Sequence, residues 1–219
     1  MRRYASVATV FLIVGRYRKY RRYRRKTTHG EAVKRRVAVH RPQGRYAVQR
    51  TACPRLYHTL FDEALERYNA KQKRSDRKID DYYEKIRRGK QEKLFYEVIF
   101  QIGNKDDMNV QSNEGQLAKE ILCEFMEQFQ KRNPNLFVFS SHLHMDEQTP
   151  HIHIDFVLFI RNSKRGLDTR VSLKGALSEQ GFKGGTRGMT EWNEWIEGEA
   201  GTFKSHGAVW RTVETVRHT

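Results

Sequence analysis

Acidic side chains are nearly missing from the first quarter of the chain. Residues 1–58 carry one, Glu31, against 17 Lys and Arg, whereas residues 59–219 carry 25 acids and 25 Lys and Arg. The whole formal charge of +16 on 219 residues therefore sits in a basic arm. Such an arm is an electrostatic footprint for nucleic acid or an anionic surface, with a solvated tail as the alternative that composition leaves open. Cysteine is scarce as well: Cys53 and Cys123 are too few for a disulfide framework and fit a reducing cytoplasm. The apolar run ASVATVFLIVG (5–15) is about half the ~20 residues that a membrane span needs. It leads into RYRKYRRYRRK rather than a small-residue cleavage site, so it reads as neither span nor signal peptide. With a mean hydropathy of −0.84 and 37% hydrophobic residues, the chain can build one modest core: one domain, or one domain plus a tail.

Residues 1–58 show no sustained helical or strand period, and Arg/Tyr repetition dominates 16–25. The character changes at Thr59. From there to about Lys93 the chain reads as helix, with Leu60, Ala64, Leu65 and Tyr68 as an apolar stripe. The charged KQKRSDRKIDD within it is either exposed helix or a break between two helices. LFYEVIFQI (94–102), rich in aromatic and β-branched residues and followed by Gly103-Asn104, reads as a buried strand. Helical spacing of Leu117, Ile121, Leu122, Phe125, Met126 and Phe129 predicts a helix over 114–131. Cys123 is a packing residue of that helix, and Asn133-Pro134-Asn135 stops it. LFVFSSHLHM (136–145) and HIHIDFVLFI (151–160) read as strands. The short DEQTP between them permits an antiparallel pair but no parallel crossover. Short helices are expected over 172–182 and 190–199. The order from residue 94 predicts an α+β fold of split βαβ type, an antiparallel sheet with helices on one face. The expected organisation is a basic arm (1–58), a domain (59–199) and a divergent tail (200–219).

The stretch HLHMDEQTPHIHID (142–155) holds four of the nine histidines and three acids. In a strand, His151, His153 and Asp155 share one face while Ile152, Ile154 and Phe156 share the other; His142 and His144 also share a face. Antiparallel pairing can bring His144 alongside His151 and His153 and present Glu147 at the corner. Three imidazoles and a carboxylate suit Mn²⁺ or Zn²⁺ better than Mg²⁺, which prefers oxygen ligands. Asp146, Asp155 and His142 then stand as partners that orient the ligands. Surface histidines alternating with core residues are the bland alternative, weakened by so many histidines and acids gathered around one Thr-Pro corner.

His144-x-Asp146-Glu147-x-x-Pro150-His151-x-His153 resembles the metal-binding motif of the MobV-type relaxases, the Pre/Mob plasmid mobilisation and recombination proteins. The segments DDYYEKIR, QIGNKDD, RNPNLFVF and VSLKGALSEQGFKGG extend the resemblance over about residues 59–199. It implies an endonuclease of the HUH type whose antiparallel sheet carries a divalent ion, Mn²⁺ first, with Mg²⁺ or Zn²⁺ as alternatives. Such an enzyme nicks one strand of single-stranded or supercoiled DNA at a plasmid transfer origin through a covalent 5′-phosphoryl–protein link. The resemblance implies His144, His151 and His153 as metal ligands, Glu147 as a further ligand or the organiser of one, and Asp146 as a supporting acid. DNA and mobilisation accessory proteins are the implied partners, in the cytoplasm and away from membranes.

A second motif of that family, a His-x-x-Arg segment near the N-terminus that supplies the nucleophile, has no counterpart here. His29 is followed by Gly30, Glu31 and Ala32, and His40 by Arg41, Pro42 and Gln43. Tyr17, Tyr20 and Tyr23 are chemically able to attack a phosphate, but Arg/Tyr repeats more often coat nucleic acid or stay disordered, and no nucleophile is assigned. Residues 1–57 are therefore expected to be an out-of-frame or rearranged start, and the tail from Gly201 to depart from the long helix the family has there. Three functions stand open: a relaxase or its truncated, inactive copy; a non-catalytic DNA-binding protein with a structural metal; and a metal-dependent phosphodiester hydrolase that uses an activated water.

Overall fold

A computed structural model of the chain describes residues 8–13, 52–185 and 187–217, with side chains over 53–185 and 187–205. The elements are β1 (Ala8–Ile13), α1 (Ala52–Ala70), a 3-10 turn (Ser75–Arg77), α2 (Tyr82–Arg88), β2 (Tyr96–Ile102), α3 (Asn113–Arg132), β3 (Leu136–His144), β4 (His151–Ile160), β5 (Arg170–Val171), α4 (Leu173–Glu179) and α5 (Glu191–Arg217). The charged stretch after Ala70 is a break: the helix stops, and α2 restarts at Asp81, whose carboxylate accepts the Glu84 N–H at 3.1 Å. Ser112 and Ser172 cap α3 and α4 in the same way.

The sheet order is β1-β2-β4-β3 with every neighbour antiparallel, and β5 adds to the end of β4. Helix α3 crosses from β2 to β3, and β4 inserts between these two parallel strands. That is the split βαβ arrangement of an α+β fold. Two sequence expectations fail at the ends of the chain. Ala8–Ile13 is not structureless but an edge strand in register with β2, from Ala8 opposite Ile102 to Ile13 opposite Glu97. The segment after Gly201 is not a break in the helix; α5 runs on to Arg217 and seats Phe203 in the core, 4.8 Å from the Phe125 ring and 5.2 Å from Phe100. Both escaped the sequence reading because neither shows a local period: ATVFLI is almost wholly apolar with no alternation, and pairing or packing supplied what periodicity lacked.

The two faces of the sheet bury different chemistry. On one, Phe100, Ile152, Ile154, Phe156 and Leu158 meet Leu122, Phe125, Met126 and Phe129 of α3 and Trp192 and Trp195 of α5, the main helical layer. Burying each such side chain contributes roughly 1.5–3 kcal/mol. On the other face, α1 and α2 cover only one end, packing Tyr57, Phe61, Tyr82 and Ile86 on Val157 and Phe159. The Tyr57 hydroxyl donates to the Leu94 carbonyl at 2.8 Å, which pins α1 to the chain just ahead of β2.

A bulge in β3 decides what stands at the uncovered end. Val138 lies opposite Phe156, but Ser140 lies opposite Asp155, so Phe139 is the extra residue. Unbroken alternation from Leu136 and Val138 would place Ser140, His142 and His144 on the apolar face. The bulge shifts the phase by one residue. Leu143 then enters the core, and His142 and His144 stand opposite His153 and His151.

Candidate metal centre

Three strands contribute to the centre. Register puts Glu97 opposite Asp155, Gln101 opposite His151, and His144 opposite His151 on the other side. One donor atom each from His144, His151 and His153 lies within 4.8 Å of the others. Their ring centroids are 4.8–5.2 Å apart, with the His144 and His151 rings stacked.

Each imidazole is held at its inner nitrogen. His151 Nδ1 is 2.9 Å from the Thr149 carbonyl oxygen, which can only accept, so the proton is on Nδ1 and the lone pair on Nε2. His153 Nδ1 is 2.6 Å from Glu97 Oε1 and His144 Nδ1 is 3.3 Å from Asp146 Oδ1. This is how a protein orients imidazoles toward an ion: one ring nitrogen tied to a carbonyl or carboxylate, the other left to ligate. Asp146 therefore supports His144. Glu147 stands outside the three-histidine donor cluster and lines an open cavity of about 460 Å³ with Gln101, Gln148, Thr149 and His151.

The electrostatics favour a cation. Burial, then the neighbouring His151, pushes His153 down to about 4; burial and the other two imidazoles also lower His144. Both rings are therefore neutral at pH 7, the state a ligand needs. Burial lifts the Glu97 carboxyl to about 7, and burial with the adjacent Glu97 lifts Asp155 to about 8. Asp155 is 5% exposed, and its Oδ1 has no hydrogen-bond partner among the described residues. Two buried carboxyls beside three imidazoles form a donor set that a divalent ion would complete.

Sequence reasoning missed Glu97. The signal was present, since a single acid inside the aromatic and β-branched run FYEVIFQI is out of place in a buried strand unless it has a partner. Asp155, expected as an orienting partner, lies beside Glu97 and not on a ligand. His142 is opposite His153 but is not a member of the donor cluster. Tyr17, Tyr20, Tyr23, His29 and His40, where a nucleophile was sought, lie outside the described residues. Cys123 packs against the core from α3, and Cys53, with its thiol pushed up to about 12 by burial and then by Asp155, is likewise a packing residue.

Fold and site together define an α+β protein with a three-histidine cluster able to hold a metal ion. Its family follows from comparison: the family model described as plasmid recombination enzyme (Mob_Pre) matches residues 33–180, and the chain belongs to that family. The match starts inside the basic arm and takes in α1 through α4, so it begins and ends earlier than the likeness read from the sequence. No curated protein and no solved structure matches the chain. Family membership carries a role in plasmid recombination and mobilisation, with DNA as partner. No helix among the described residues is long and apolar enough to cross a membrane.

Proposed function

We propose that the chain is a relaxase that nicks one DNA strand at a plasmid transfer origin and reseals it by transesterification. The observation that carries this reading is the convergence of three Nδ1-anchored imidazoles on a sheet face left open beside a cavity. His144, His151 and His153 would hold a divalent ion, Mn²⁺ first, with Glu147 at the cavity edge as the fourth protein ligand or the organiser of a bound water. An ion there supplies neutralisation of charge growing on the phosphoryl oxygens. Glu97, Thr149 and Asp146 fix ring tautomer and direction. The floor of Ser140, Asp155 and Glu97, all buried, keeps bulk water from the inner side. The basic arm adds salt-dependent affinity for the DNA backbone, and mobilisation accessory proteins are proposed as further partners.

Incubating the full chain with Mn²⁺ and supercoiled plasmid carrying a cognate origin tests this. Relaxation with protein attached to a 5′ end is expected. Relaxation without an adduct would replace the reading with a hydrolase using activated water. Binding alone would leave a DNA-binding protein with a structural metal.

A further inference from the structure

The cavity beside the histidines has a composition of its own. Gln101, Glu147, Gln148, Thr149 and His151 line it, and none is a lysine or arginine. A recess meant for a phosphate would be expected to present cations or a row of backbone N–H groups. Two carboxamides instead match the edge of a nucleobase. At about 460 Å³ the cavity falls in the range of small-molecule sites and has room for one base with its sugar.

The fold positions the amide of Gln101 and the backbone of Gln148. Gln101 reaches the cavity from β2, opposite His151, and its Nε2 donates to the Gly103 carbonyl at 3.0 Å, which leaves its Oε1 as an acceptor. Gln148 sits at the β3–β4 corner. Its backbone carbonyl accepts the Val110 N–H at 3.1 Å, tying the corner to the loop before α3 while its side chain is exposed. Gly115 lets that loop approach, since a Cβ there would run into the Asn109 carbonyl oxygen.

We propose that this cavity is a base subsite. It takes a nucleobase with an exocyclic amino group, such as adenine or cytosine, from the single strand whose phosphate lies at the histidines, and it disfavours thymine. Carboxamides pair bidentately with such a base. An NH₂ group has two hydrogens, one for the Oε1 of Gln101 and one for the Oε1 of Gln148. Thymine has no amino group, and its single N3–H between two carbonyls leaves one of those glutamine acceptors unmatched. The inference rests on the DNA reading above.

The test uses the full chain and short fluorescein-labelled homopolymers of dA, dC and dT, followed by anisotropy at constant ionic strength, with Mn²⁺ binding measured in parallel by calorimetry. The dA and dC strands should bind about tenfold tighter than dT, one good bidentate contact's worth. Gln148→Leu, on the exposed corner, and Gln101→Leu, on the sheet, should each compress that ratio and leave Mn²⁺ affinity unchanged. Equal affinity for all three strands, or a ratio that survives both replacements, overturns the subsite. A ratio that behaves as expected in a chain that takes up no Mn²⁺ upholds the subsite and sinks the metal reading. Mn²⁺ uptake with no ratio does the reverse.

Discussion

The two faces of β4 differ by one residue in phase and serve opposite ends. Ile152, Ile154, Phe156 and Leu158 are at most 1% exposed and end in a wall of aromatic rings from α3 and α5. His151 and Asp155 are buried almost as deeply and His153 is half-buried, yet all three stand beside carboxyls, carbonyls and an open cavity. On the first face every contact adds to stability. On the second, buried polar groups cost stability unless partnered, and their pKa shifts record that cost. What the comparison teaches is that burial by itself does not separate core from site; the partner at Nδ1 does.

Perturbing each face in turn should therefore give opposite signatures. Trp195→Ala on the apolar side removes a fully buried ring and its 2.7 Å hydrogen bond to Asn133, and should cost about 3–5 kcal/mol in chemical denaturation. Its Mn²⁺ affinity should hold for as long as the protein stays folded. Removing both His151 and His153 (H151A with H153A) should do the reverse: calorimetry should detect no Mn²⁺ binding, while the metal-free chain still melts cooperatively. Should Mn²⁺ bind as before, the site lies elsewhere.

Deleting Phe139 tests the device that separates the faces. Without the extra residue Ser140 follows Val138 directly, and plain alternation keeps Ser140, His142 and His144 on the site face and Leu143 in the core, so Mn²⁺ binding should survive while the lost contact between the Phe139 and Phe95 rings lowers the melting temperature. Lost Mn²⁺ binding in a chain that still melts cooperatively would mean that the bulge itself, and not the register of β3 against β4, positions the histidines.

A smaller effect is expected from Glu97→Gln, which keeps the shape but weakens the hold on His153. Mn²⁺ affinity should drop roughly 10–100-fold with little change in the DNA affinity that comes from phosphate contacts. An unchanged Mn²⁺ affinity would make Glu97 a bystander.

The smallest effect is in pH. The folded chain keeps protons on Asp155 and Glu97, at about 8 and about 7, that an unfolded chain has already released. The stability they lend is complete below the ordinary carboxylate range and is lost as pH rises through those values. His153 and His144, shifted downward, act only below about 6.5 and with the opposite sign. Between about 6.5 and 8 the metal-free protein should thus become less stable as pH rises, and Asp155→Asn should flatten the trend. Thermal melts across that range would contradict this if stability rose.

Much of the fold was legible because the domain's centre is strongly patterned. The apolar stripe of α3 and the alternation in β4 lie within a residue or two of where they were read, and DEQTP dictated an antiparallel pair. The ends were not legible. The edge strand at Ala8–Ile13 is identified by pairing with β2, and the far half of α5 by its docking through Phe203, neither of which a local period reports. At the site, His144, His151 and His153 followed from strand alternation and motif. Glu97 did not, because it is distant in sequence and only the register of β2 against β4 brings it to His153. The bulge at Phe139 was invisible for the same reason: plain alternation in LFVFSSHLH groups the histidines with Leu136 and Val138.

The central claim is that three imidazoles ligate one ion. X-ray absorption at the manganese edge of the Mn²⁺-loaded full chain reads that directly. The predicted spectrum carries the multiple-scattering signature of three histidines, reduced to two by His144→Ala. A sphere of oxygen ligands alone, unchanged by that replacement, would contradict it.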